Sequence, residues 1–111
     1  MDRIGKVNDL IAVEISKIIK ADIDLDPGVF VTVTGVDTSR TLEHSTIRVS
    51  VFPESKRESA LKQINKNIYM IQQSLNKRLV MRSIPKIRFE IDTTEEKAQH
   101  IEEMLSKLSD K

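Results

Sequence analysis

The 111-residue chain has no cysteine and no tryptophan, and only three glycines, three prolines, three phenylalanines and one tyrosine. Without cysteine there are no disulfides, thiolate metal sites or cysteine nucleophiles, a pattern that fits a reducing compartment. Glycine occurs only as Gly5, Gly28 and Gly35, so neither a phosphate-binding P-loop nor a dinucleotide fingerprint can be drawn. No apolar run approaches the length of a membrane span. The opening residues MDRIGKVNDLI carry a charge in every helical turn, which a secretory leader would not. His44 and His100 have no second histidine or carboxylate at ligand spacing. The triplet Asp22, Asp24, Asp26 begins like a calcium loop, but Pro27 stands where glycine is required and Val33 where a bidentate glutamate is required. No nucleophilic triad or acid–base pair is recognisable. These absences predict a soluble cytoplasmic domain that is not an enzyme, with no cofactor, no metal and no membrane partner.

What is present is a segregated charge. Hydrophobic residues make up 39% and charged residues 32% of a chain whose net charge is only +1, ordinary for one folded domain. Between Glu54 and Arg88 there are nine basic side chains and two acidic ones, a local charge of +7. The basic set is Lys56, Arg57, Lys62, Lys66, Lys77, Arg78, Arg82, Lys86 and Arg88. Such a stretch attracts polyanions, phosphate above all. A solvated, solubilising helix face is the alternative that charge alone leaves open.

Periodicity gives the elements. Ile4, Val7, Leu10, Ile11, Ile15, Ile18 and Ile19 recur at helical spacing over about residues 3 to 20, with Asp2 as the expected N-cap. After the Asp26-Pro27-Gly28 break, Val29, Val31 and Val33 alternate with Phe30, Thr32 and Thr34, and a bulge at Gly35-Val36 is expected to return Val36 to the buried side. A second strand buries Ile47, Val49 and Val51, and the short connection predicts an antiparallel hairpin. Phe30 and Phe52 are expected to face each other across it, as an ordinary cross-strand pair rather than a base-stacking platform. Ser55 or a neighbour is expected to cap the next helix. Leu61, Ile64, Ile68, Ile71, Leu75 and Leu79 then read as one long amphipathic helix. Pro85 introduces a third strand, Lys86 to Asp92, burying Ile87, Phe89 and Ile91. Thr93 and Glu96 form a capping-box pattern opening a last short helix. Each strand has a single apolar face, so the prediction is a two-layer α+β domain: a three-stranded sheet covered by helices on one face.

Several blocks carry a resemblance. Arg82-Ser83-Ile84-Pro85-Lys86-Ile87-Arg88-Phe89-Glu90-Ile91-Asp92 resembles the most characteristic block of the bacterial ribosome-binding factor A family. Arg3, Lys6-Val7, Ile11, Glu14-Ile15 and Ile18-Ile19 are similar to its opening helix. Val31 to Thr34 with Val36, then Ser39 and Leu42, are similar to its first strand and hairpin. Ile47 to Val51, and Asn65-Lys66 with Ile71, Leu75 and Arg78-Leu79, follow in order. The resemblance implies a KH-like domain of type II order, α-β-β-α-α-β, over residues 1–93, followed by a C-terminal helix and tail over 94–111. It implies a monomeric, non-catalytic maturation factor for the precursor small (30S) ribosomal subunit. Its RNA partner would be precursor 16S rRNA near the 5′ end, and the factor would be needed most in the cold.

In that family the middle helices meet at an Ala-x-Gly kink. Here the residues are Asn67-Ile68-Tyr69, and Asn67 tolerates unusual backbone angles, so an interruption is still expected. Without a Gly-x-x-Gly loop, close backbone approach to nucleotides gives way to phosphate and shape recognition. The candidate RNA-binding residues are therefore the nine cations together with Asn67, with Arg3 and Lys6 secondary. Arg78 and Arg88 could instead pair with local acids. Tyr69 is expected to cap the helix junction rather than stack on a base. A protein-interaction module whose basic helix binds an acidic protein partner is the competing reading.

Overall fold

The computed structural model describes residues 3–94. Asp2 and the segment from Glu95 onward, including the predicted last helix, lie outside the described residues. Helix α1 runs Arg3–Asp22 and buries Val7, Ile11, Ile15, Ile18 and Ile19. That stripe is the one its spacing predicts. Leu10, one position off the stripe, is left 46% exposed. The turn that follows has Val29 N–H donating to the Asp26 carbonyl at 3.1 Å with Gly28 at φ 81°. Proline second and glycine third are the residues a type II turn demands.

Strands β1 (Phe30–Thr38) and β2 (His44–Phe52) form the antiparallel hairpin. The register shifts between Val33 and Gly35. The bulge leaves Val36 buried, as expected. Gly35 has a packing reason as well: a Cβ there would lie 2.5 Å from the Arg48 guanidinium, which crosses it to pair with Asp37. Strand β3 (Lys86–Ile91) runs parallel to β2 on its other side, giving sheet order β1-β2-β3. All three strands turn one face to the helices, and Ile47, Val49, Ile87 and Phe89 are buried there.

A 3₁₀ turn, Glu54–Lys56, leads into α2 (Arg57–Lys66). No side chain caps it, so the expected Ser55 cap is not formed. Helix α3 covers Ile68–Arg78. The expected interruption is real and falls on Asn67, at φ −105° and ψ 13°. Its side-chain amide donates to the Gln63 carbonyl at 2.9 Å, while its own carbonyl accepts Ile71 N–H at 3.0 Å. One residue thus satisfies groups that two helix ends would leave unpaired. Ile64, Ile71 and Leu75 on either side are fully buried against Ile11, Ile15 and Ile18.

Two side-chain links hold the layers in position. Gln72 on α3 donates from Nε2 to the Pro85 carbonyl and accepts Ile87 N–H at Oε1, at 3.1 and 2.9 Å. Its amide occupies the place a neighbouring strand would take on the edge of β3. At the hairpin end, Thr38 donates to Asn8 Oδ1 at 2.5 Å and lies 2.7 Å from the Ser45 hydroxyl. Thr38 has one proton to give, so buried Ser45 donates to it. The chain of bonds ties β2, β1 and α1 together.

Candidate nucleic-acid interface

The candidate cations do not form one ridge. Strand alternation sends Lys86 and Arg88 to the open face of the sheet, with Arg88 Nε donating to Thr46 Oγ1 at 2.9 Å. Helix α2 carries Lys62 and Lys66 elsewhere, on a cleft also lined by Asp24 and Asp26. Two carboxylates share that cleft with the two ammonium groups and offset their charge. Lys56 and Arg57 lie where the 3₁₀ turn meets α2, and Arg57 reaches Glu54 at 3.9 Å. Arg78 in the last turn of α3 pairs with Glu14 of α1 at 3.4 Å, an acid distant in sequence rather than the nearby one expected. Arg88 pairs with a threonine hydroxyl rather than with Glu90. Lys77 is exposed in the last turn of α3. Asn67 has its amide committed to Gln63, so its first role is in the helix junction. Tyr69 is 77% exposed and caps nothing, against expectation.

The cations that do converge lie at the hairpin end. Because β3 is parallel to β2, both strands begin at the hairpin loop, and Lys86 N–H donates to the Glu43 carbonyl at 2.9 Å. The first turn of α1 and the α3–β3 connection arrive at the same place. Arg3, Lys6 and Arg82 line one cleft there, and His44, Lys86 and Arg88 line the adjoining one. Among the described residues lining the two clefts, the only carboxylate is Glu43. Arg40 is exposed in the hairpin loop that joins β1 to β2. Sequence reasoning ranked Arg3 and Lys6 low and did not select Arg40. Residues far apart in the chain meet here, and only the pairing of β3 could have shown it.

The loop itself is held rigidly. Leu42 N–H donates to the Ser39 carbonyl at 2.9 Å, and Ser39 Oγ accepts the backbone N–H groups of Glu43 and His44 at 3.2 Å each. Leu42 adopts φ 61°, a conformation that costs a branched residue about 1–3 kcal/mol and survives only where its surroundings enforce it. Its side chain packs against the core.

Away from the hairpin end, the open face of the sheet carries paired or hydrogen-bonded charges. Arg48 pairs with Asp37, and Asp92 accepts from the Thr34 hydroxyl at 2.6 Å and from Thr94 N–H at 2.9 Å. Those hydrogen bonds, with Thr34 first, lower the Asp92 pKa from 3.8 to about 2. Phe30 and Phe52 are register partners, as expected, and remain 65% and 69% exposed. Among the described residues there is no group of three or more side chains able to hold a metal ion, and no helix long and apolar enough to cross a membrane.

A family model described as Ribosome-binding factor A matches residues 3–105. A curated relative of that name from Clostridium botulinum (strain Okra / Type B1) is 31% identical over 111 residues, covering 97% of this chain and 92% of the relative. The fold is similar to the crystal structure of ribosome-binding factor A from Thermus thermophilus, with a TM-score of 0.68 at 22% identity over 79% of this chain and 93% of that one. It is also similar to a homology model of the Thermus thermophilus factor fitted into the cryo-EM map of a 30S–RbfA complex. That match has a TM-score of 0.66 at 24% identity, covering 77% and 90%.

Proposed function

This chain belongs to the ribosome-binding factor A family, and from that premise we propose that it is a non-catalytic assembly factor for the precursor small (30S) ribosomal subunit. It docks on 16S rRNA near the 5′ end and helps that RNA fold and be processed, with the greatest need in the cold. It works in the cytoplasm as a monomer. The observation that carries this reading is the hairpin end, where five cations face one carboxylate across two adjoining clefts. An Arg- and Lys-lined surface suits contact with phosphates. The homology model of the Thermus thermophilus factor, fitted into the map of a 30S complex, supports the choice of partner.

The interface is narrower than the basic stretch of the sequence. Lys86, Arg88 and Arg82 belong to it, Arg3 and Lys6 join it, and exposed Lys77 remains a candidate beside it. Lys56, Arg57, Lys62, Lys66, Asn67 and Arg78 contribute less, because acids or backbone groups already engage or face most of them.

Binding to a precursor 16S rRNA 5′-domain transcript, measured across a salt series, tests the proposal. Neutralising about five phosphates gives a slope of roughly −4 in log affinity against log salt. Triple charge reversal at Arg3, Arg82 and Lys86 should flatten that slope by about 3, while reversal at Lys62 and Lys66 should change it little. A salt-independent affinity, or an association with small subunits that survives nuclease digestion of the RNA, would instead favour the acidic-protein reading.

A further inference from the structure

The hairpin-end cleft lined by Arg3, Lys6 and Arg82 is not a purely ionic surface. Its volume is about 450 Å³, within the range of sites that enclose small molecules, roughly 300–1,000 Å³. Leu10, Leu42, Val80 and Met81 supply an apolar wall. Val80 is wholly exposed at 103%, on a short connection rather than in a helix. The backbone phosphates of a duplex would engage the cations and leave this apolar wall wet. A ligand matching both features carries negative charge beside a flat, weakly hydrated body.

We propose that this cleft holds an unstacked nucleotide of single-stranded RNA, its base against Leu42, Val80 and Met81 and its flanking phosphates against Arg3, Lys6 and Arg82. The inference rests on the RNA-binding reading above and adds base-dependent recognition to it. RNA offers such nucleotides in loops, bulges and ends. Glu43, the lining carboxylate, can only accept hydrogen bonds, so it favours a base with an exocyclic amine over uracil. The enforced backbone of Leu42 gives the base a fixed wall.

The test uses the full chain with three hexamers: cytidylate, uridylate and a fully abasic sugar-phosphate. An RNA duplex of about 16 base pairs serves as the reference. Methyl NMR follows Leu42 and Val80. The cytidylate hexamer should shift both methyls and bind about tenfold more tightly than the abasic one, with uridylate between them. Replacing the exposed pair by Leu10→Ser with Val80→Ser should weaken cytidylate binding about five- to tenfold and leave duplex affinity within about twofold. Equal affinity for all three hexamers, with duplex binding intact, would overturn this inference alone. Failure of every RNA to bind would overturn the assembly-factor reading as well. A Glu- and Leu-containing acidic peptide that shifts the same methyls more tightly than any hexamer would reassign the cleft to protein.

Discussion

Gln72→Leu removes two hydrogen bonds and keeps the side chain close to its original volume. The Pro85 carbonyl and the Ile87 N–H then face an isobutyl group, and both Pro85 and Ile87 lie in the buried part of the β3 edge. Each bond contributes about 1 kcal/mol, and a buried group left unsatisfied costs about 1–3 kcal/mol. Partial exposure of the pair sets the loss at about 2–3 kcal/mol, or about 10 °C in Tm for a domain of this size. Gln72→Glu isolates the donor half. Its carboxylate still accepts Ile87 N–H but turns a second oxygen, rather than an N–H, to the Pro85 carbonyl. Protonation restores a donor, so the folded state raises the pKa of the introduced carboxyl above about 4.3. Stability from that raised pKa is present at low pH and lost as pH rises through it. The deficit of Gln72→Glu against the parent should therefore be largest at neutral pH and shrink on acidification. Urea denaturation at several pH values measures both variants, and hydrogen exchange at Ile87 reports the edge directly. A Gln72→Leu protein within about 0.5 kcal/mol of the parent, roughly twofold in folding constant, and a pH-independent Gln72→Glu deficit would refute the strand-mimic account. Because β3 carries Lys86 and Arg88, the Gln72→Leu protein should also lose RNA affinity before it loses its fold.

Asn67→Ala gives up one side-chain bond to the Gln63 carbonyl and should cost about 1 kcal/mol. Helix content by circular dichroism should stay constant, since Ile64, Ile71 and Leu75 impose the break from both sides; a gain in helicity would show that the amide, not packing, makes it. Asp92 has a folded pKa depressed to about 2, so its contribution is present above 3.8 and fades as pH falls from there toward 2. Carboxyl NMR should show that low value, and Thr34→Val should move it upward by removing the hydroxyl that ranks first among its causes. An unchanged titration in Thr34→Val would assign the shift to Thr94 instead.

Local pattern carried most of the fold. The period-two strands, the bulge at Gly35 and the antiparallel hairpin follow from side-chain alternation and connection length, and the structure has all three. The break at Asn67 did not show in periodicity, because one residue outside helical geometry leaves the spacing of Ile64, Ile68 and Ile71 unchanged. It was legible only through resemblance. The candidate interface was less legible. Adjacency in sequence grouped Lys62 and Lys66 with Lys86, but the helix break and helix α3 between them place them beside different neighbours. Salt-bridge partners such as Glu14 for Arg78 sit 64 residues away, beyond any local rule. Ser55 failed as a cap because the chain enters α2 through a 3₁₀ turn instead.

The parallel pairing of β2 with β3 bears on how the molecule is made. Until Lys86 to Ile91 leaves the ribosome, β2 has one neighbour and an open row of backbone groups from His44 to Val49. A two-stranded ribbon is marginal in water, so a nascent chain stopped before Lys86 should stay protease-sensitive, whereas one extended past Asp92 and clear of the exit tunnel should resist. Synthesis of β3 then times the appearance of the cation-rich end, because Lys86 and Arg88 take their places beside His44 and Thr46 only once this strand pairs.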